Sequence, residues 1–328
     1  MSKVVVAGAG VTGLAVALAL ARRGAQVTVC DPAPLGDNAS GIAAGMLAPA
    51  FEAVLDPLSA GHFELFKAAR DLWTEFAPVQ IAREGAVFVS DAHTVEAISA
   101  ELERIGASWR GASGELTPLG GISSGVFTDE DWRLEPADAL AVLRAEAQGA
   151  GVAFSADTVR ERSAGVLVLA TGAQGGPAPE MACLTPIKGH ILRLSGGPTS
   201  GPVVRGDGLY VCPAAGGAVV GATMEEGASD RVVDPGRIKA LHEAAQAIVP
   251  ALEGVKGRPM AAVRAGTPDG LPLVGWSQAP GVFLTVGARR NGWLLAPLIA
   301  NMTAAYLAGE DPGPFGGHLD ARRFSRGD

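Results

Sequence analysis

The sequence predicts an α/β protein in which a Rossmann-like domain is joined to a smaller domain with a mostly antiparallel sheet. Three stretches predict it. Residues 3–31 read as strand, glycine turn, helix and second strand. Val166 to Ala173 reads as another buried parallel strand ending in a small-residue turn. Pro186 to Met224 holds alternating strands spaced by turns, as an antiparallel sheet does.

In the opening unit the run Val4-Val5-Val6 is β-branched and apolar, and Leu14 to Arg23 alternates small and large apolar residues as a packed helix does. Between them lies Gly8-Ala9-Gly10-Val11-Thr12-Gly13. Gly8 allows a sharp bend, Gly10 lets a pyrophosphate approach the backbone, and Gly13 lets the helix sit close on the strand. Backbone N–H groups around Val11 and Thr12, at the positive end of the helix dipole, suit phosphate charge. Asp31 closes the second strand, where a carboxylate can accept both ribose hydroxyls. This strand–helix setting and the following acid make the glycine pattern a dinucleotide signal.

With 328 residues, 48% of them hydrophobic and 18% charged, the chain can fill the cores of two domains. Its 45 glycines are nearly twice the usual share of about 7%, which suits a turn-rich protein whose backbone approaches a ligand. A net charge of −8 and the lack of any basic run argue against a nucleic-acid partner. Cys30, Cys183 and Cys212 are scattered without metal-type spacing and read as reduced, buried thiols. The apolar start is interrupted by the glycine turn and reads as neither signal peptide nor membrane span, so a cytoplasmic location is expected. The sequence leaves a homo-oligomer open.

Ala39-Ser40-Gly41-Ile42-Ala43-Ala44-Gly45-Met46-Leu47-Ala48-Pro49 follows a turn-rich loop. Its side chains are too small to fill a core. They let a large flat ligand lie against the backbone, or let a helix pack closely; spacing alone does not choose. The repeat His62, Leu65, Phe66, Ala69, Leu72, Trp73, Phe76 is a helical core stripe. A strand at 86–90, a helix from His93 to Ile105 and the glycine-rich stretch 106–125 read as part of the second domain, and a helix over 137–148 leads into Val152-Ala153-Phe154. His190 and Lys188 lie on a strand, where such residues are usually half-exposed and structural. Another helix spans 235–249, and an apolar one runs from about Gly292 to Leu307.

The Rossmann start followed by ASGIAAGMLAP resembles the D-amino-acid-oxidase superfamily of flavoproteins, and within it the glycine oxidase branch associated with thiamine biosynthesis. Two later segments carry the same resemblance: Ala262-Val263-Arg264-Ala265-Gly266-Thr267-Pro268-Asp269-Gly270 and Gly287-Ala288-Arg289-Arg290-Asn291-Gly292-Trp293-Leu294. The resemblance covers nearly the whole chain and implies FAD. It places Ser40, Ala43, Ala44, Gly45 and Met46 along the flavin, the turn Ala170-Thr171-Gly172 beside it, and Arg290, Asn291, Gly292, Trp293 and Leu294 at a helix start facing its pyrimidine edge. It implies an FAD-binding domain of 1–80, 126–184 and 258–328, and a substrate domain of 81–125 and 185–257. The family's longer hairpin is reduced here to a short polar link over 155–165.

The implied substrate is a small amino acid or secondary amine, its carboxylate held by Arg264, with Arg290 and Tyr210 beside it and Met46 and Met224 in the pocket wall. A guanidinium suits a carboxylate because its planar fork makes two parallel charge-assisted hydrogen bonds. Arg289 is expected to be a solvated side chain. No acid or base is assigned, since hydride removal requires an uncharged amine, a positioned C–H and little water. Oxygen is the expected electron acceptor, giving peroxide; the alternative is a D-amino-acid dehydrogenase that feeds a quinone or other carrier. Ala288 stands where glycine oxidases often have His, and Met260 where they commonly have an aromatic, which alters the pocket wall. The sarcosine oxidase branch attaches its flavin through a cysteine just before the Thr-Pro-Asp turn. Here Ala262 lies in that region, so the FAD is expected to be non-covalent.

Overall fold

A computed structural model describes residues 3–120, 122–159 and 165–324. Within the polar link, residues 160–164 lie outside the described residues.

The opening strand Lys3–Ala7 sits inside a six-stranded sheet of order Leu273–Trp276, Val282–Val286, Val166–Leu169, Lys3–Ala7, Gln26–Cys30, Ala153–Ser155. All neighbours are parallel except the Leu273–Trp276 edge. Parallel strands need both faces covered. Here the helix Val11–Arg22 packs against the helix Gly292–Ala308, with Phe63–Phe76 and Pro136–Gly149 at their sides. Ala15, Ala17 and Ala296, Ala300 are fully buried; small residues of this kind let two backbones approach. The Gly292–Ala308 helix is apolar on nearly all sides, which requires a buried setting. Leu14, Leu18, Trp73, Phe283 and Leu295 fill the core between.

A nine-stranded sheet forms the second layer, antiparallel throughout except where Val203–Gly206 runs beside Ala86–Val89. Its two longest strands, Thr185–Leu194 and Gly257–Gly266, pair residue for residue from Thr185↔Gly266 to Leu194↔Gly257. The expected boundary at 258 therefore falls inside a strand of this sheet, and the one at 126 falls inside Gly125–Thr128. Hydrogen bonding explains the difference: a strand cannot be divided between sheets without leaving half its backbone groups unpaired. A small sheet of Met46–Leu47, Trp132–Leu134 and Ile81–Ala82 links the layers.

The antiparallel sheet also corrects two sequence expectations. Lys188 and His190 are buried rather than half-exposed. Lys188 Nζ donates to Asp230 at 2.6 Å. The Asp234 N–H donates to His190 Nε2 at 3.0 Å, so Nδ1 carries the proton that faces Glu225 Oε1 at 2.9 Å. Cys30 and Cys212 are buried, while Cys183 is only half-buried.

Candidate active site

At the carboxyl end of the parallel strands the glycine turn opens a groove. Gly8 lies at φ 111°, and a Cβ there would overlap the Ala170 carbonyl; a Cβ at Gly13 would overlap the Gly8 carbonyl. Only glycine permits this backbone contact between the turn and the strand beside it. Asp31 Oδ2 accepts the Ala9 N–H at 2.7 Å and Oδ1 the Ala33 N–H at 2.9 Å, which fixes the carboxylate at the groove's edge. Ser40 Oγ accepts the Val11 N–H at 3.1 Å, and the Trp293 indole donates to the Ser40 carbonyl at 3.0 Å. Three stretches distant in sequence thereby meet.

The groove encloses about 360 Å³ and is lined by Gly8, Gly10, Val11, Thr12, Asp31, Ser40, Ala170, Thr171, Gly172 and Gly292. It adjoins a second cavity of about 240 Å³, lined by Ala43, Ala44, Gly45, Met46, Tyr210, Met224, Arg290, Asn291 and Trp293. Ala39, Ala262 and Arg264 line both. Two of the sequence-selected residues line neither cavity. Gly13 is spent on packing beneath the turn, and Leu294, 1% exposed, points into the core because the first turn of an apolar helix has an inward side.

The antiparallel sheet forms the far wall. Residues two apart on a strand share a face, so Met260, Ala262 and Arg264 stand together, as do Ile187, Gly189 and Ile191. Two glycines let long side chains lie flat. A Cβ at Gly189 would overlap the Arg264 guanidinium, and one at Gly221 would overlap the Tyr210 hydroxyl. Arg264 Nη1 ends on Met224 Sδ at 2.9 Å and the Thr223 carbonyl at 3.5 Å, and among the described residues no carboxylate pairs with it. Burial holds its pKa below the ordinary guanidinium value. Burial also pushes Tyr210 up to about 12, so its hydroxyl stays protonated.

Charged residues outside the sequence reading complete the wall. Glu52, on the helix Pro49–Leu55, accepts from Arg205 Nη2 at 3.0 Å and Arg290 Nη2 at 3.1 Å. Burial raises its pKa, but the guanidiniums of Arg290 and Arg205 outweigh that and keep Glu52 a carboxylate below its ordinary value. Arg289 is not solvated: it pairs with Asp56, and its side chain is 11% exposed. It has a φ of 49° and lines the groove, while Arg290 faces the inner cavity. Three guanidiniums thus share two carboxylates. Asp131 accepts the Ala50 and Phe51 N–H groups at the start of the Glu52 helix. Burial pushes its pKa up to about 7. The signals available in the sequence were Glu52 within an apolar helix and Arg205 within an apolar strand, positions where an unpaired charge is costly.

The family model described as DAO, FAD dependent oxidoreductase, matches residues 3–306. The chain belongs to this family. FAD is accordingly its cofactor, and the glycine-lined groove with its fixed Asp31 fits a dinucleotide. A glycine oxidase of Geobacillus kaustophilus is 27% identical, aligned over 92% of this chain and 91% of the relative. The crystal structure of glycine oxidase from the same organism superposes with a TM-score of 0.84 at 23% identity, covering 98% of this chain and 99% of that one. A tRNA 5-methylaminomethyl-2-thiouridine biosynthesis bifunctional protein of Maricaulis maris is 31% identical over 94% of this chain and 52% of its own length. The chain spans about half the length of the first two curated relatives it matches. Among the described residues, no helix is long and apolar enough to cross a membrane.

Proposed function

We propose that the chain is an FAD-dependent oxidase of glycine or another small amino acid or secondary amine, yielding an imine that hydrolyses to a 2-oxo acid and reducing oxygen to hydrogen peroxide. The observation that carries this reading is Arg264, a half-buried guanidinium with no carboxylate partner among the described residues, in the wall that the cavity and the nucleotide groove share. Asp31 would hold the ribose, and Gly10, Val11 and Thr12 the pyrophosphate. Ala43 to Met46, Ala170 to Gly172 and Arg290 to Trp293 would enclose the ring system, without a covalent link because Ala262 offers no thiol. Bound there, FAD supplies the two-electron acceptor that the side chains lack.

The protein's part is binding and electrostatics. Arg264 takes the substrate carboxylate in two parallel hydrogen bonds, and the protonated Tyr210 hydroxyl donates a third. The cavity lining holds no histidine among the described residues. Its excess of guanidinium over carboxylate disfavours a substrate ammonium and favours the neutral amine that oxidation requires. Met46, Met224 and Trp293 limit water around the reacting carbon.

The test is anaerobic mixing of the yellow holoenzyme with glycine, sarcosine, D-alanine and D-proline in parallel. Bleaching of the flavin by at least one is expected, and peroxide release under air follows if oxygen is the acceptor. A flavin that no amine bleaches overturns the reading; bleaching without peroxide, with turnover restored by a quinone, assigns the dehydrogenase instead.

A further inference from the structure

Three guanidiniums line the inner cavity, and two of them, Arg264 and Arg205, end in part on a thioether. Arg264 Nη1 meets Met224 Sδ at 2.9 Å. On a separate strand of the same sheet, Arg205 Nη2 is taken by Glu52 Oε1 at 3.0 Å, while its Nη1 ends on Met46 Sδ at 3.9 Å. A thioether is a weak acceptor and an unbranched, adaptable side chain. A carboxylate accepts from a guanidinium far more strongly, most of all where water is scarce. Both arginines line the cavity, and the Arg205 side chain is only 4% exposed. Glu52 does not satisfy Arg205 fully, because it takes only Nη2 and leaves Nη1 on the sulfur.

From these two forks we infer that the cavity takes a small amine bearing two carboxylates, one on Arg264 and the other on Arg205, each displacing a methionine sulfur. This deepens the proposed oxidase reading and rests on it for the identity of the site. The second carboxylate can come from either side of the amine: from a substituent on nitrogen, as in N-(carboxymethyl)glycine, or from the side chain, as in D-aspartate. The shared chemistry is two carboxylates a few bonds apart with an oxidisable C–H beside the nitrogen.

The experiment is calorimetric titration of the holoenzyme with two ethers that lack any amine to oxidise: diglycolate, with two carboxylates, and methoxyacetate, with one. Diglycolate is expected to bind at least tenfold more tightly. Arg205→Met should remove that advantage while moving methoxyacetate affinity less than twofold, and Arg264→Ala should weaken both ligands. Because Arg205→Met leaves Glu52 with one partner fewer, the paired variant R205M/E52Q is measured beside it, with the same loss expected. Equal affinity of the wild-type protein for the two ethers overturns the inference, as does an advantage that survives in R205M/E52Q. Anaerobic flavin bleaching by N-(carboxymethyl)glycine and by D-aspartate then tells the two sources apart. If glycine bleaches the flavin but diglycolate shows no advantage, the two-carboxylate inference fails and the oxidase reading stands; if no amine bleaches it, the oxidase reading itself has failed.

Discussion

Arg264→Ala separates a ligand-binding arginine from a structural one, because the two readings predict opposite effects on stability. In the unliganded protein its donors end on Met224 Sδ and the Thr223 carbonyl, and no carboxylate among the described residues is left exposed to loss. Deleting a half-buried cation that has no counter-ion among the described residues costs little and relieves repulsion from Arg290 and Arg289. The melting temperature should therefore hold within about 2 °C or rise. Binding of a substrate carboxylate should weaken by about 2 to 5 kcal/mol, the cost of removing one partner of a buried charge pair, which is roughly 30-fold to 4,000-fold in Kd. Arg264→Lys should recover only part, since an ammonium cannot reproduce the planar fork. The assays are thermal denaturation and anaerobic titration of the flavin spectrum with a carboxylate ligand. A melting temperature lowered by many degrees, or an unchanged Kd, refutes the reasoning.

Arg289→Ala should do the reverse, because it removes the nearer guanidinium from the buried Asp56 carboxylate; with Arg290 Nη1 still 4.0 Å away and the Leu58 N–H and Ser59 Oγ–H still donating to Asp56, a loss near the lower end of about 3 to 5 kcal/mol is expected in urea unfolding. A solvated arginine would show none. Gly8→Ala forces a side chain into φ 111° and into the Ala170 carbonyl, so the purified variant should retain well under half the wild-type flavin per chain after gel filtration; full retention would show that the turn can relax. Asp131 titrates near pH 7 folded against an ordinary value of 3.8. Its folded form therefore binds more protons between those values, and its contribution to stability declines as pH rises through that window. The ceiling is about 4 kcal/mol at roughly 1.4 kcal/mol per pH unit. Unfolding free energies at pH 5 and pH 8 should show a smaller decline in Asp131→Asn than in the wild type, and equal declines would remove Asp131 as the source.

Features with a local signature were legible before the structure. The strand, glycine turn and helix at 3–22 are dictated by adjacent residues, and so is the antiparallel pattern of 186–224, since both depend on periodicity and on glycine's freedom of φ. The order of the six-stranded sheet around Lys3–Ala7 was not among them, since it depends on pairing with strands far along the chain. Sheet membership of Gly257–Gly266 was not legible, because it is decided by the ten-residue match to Thr185–Leu194 some seventy positions earlier. Leu294 illustrates a smaller limit: a segment can be assigned to a site without showing which of its side chains face inward, and a step of about 100° around the helix takes the chain from Trp293, which lines the cavity, to Leu294, which does not.

The charged wall was illegible for a further reason. Glu52, Arg205, Arg289 and Arg290 come from a short helix, a strand and a loop, and of the four only Arg290 is marked as a site residue by its own segment. Their chemistry arises only when the folded sheet brings them within a few ångströms, where Glu52 holds both Arg205 and Arg290. Substitutions in this wall should accordingly be strongly non-additive. Glu52→Gln alone leaves three guanidiniums with Asp56 as the remaining carboxylate of the wall, while removing Arg205 and Glu52 together leaves the remaining balance of charge unchanged. The double variant should therefore be more stable than the sum of its single losses by about 1 to 3 kcal/mol in a double-mutant cycle. Simple additivity would show that the three arginines do not act as one electrostatic unit.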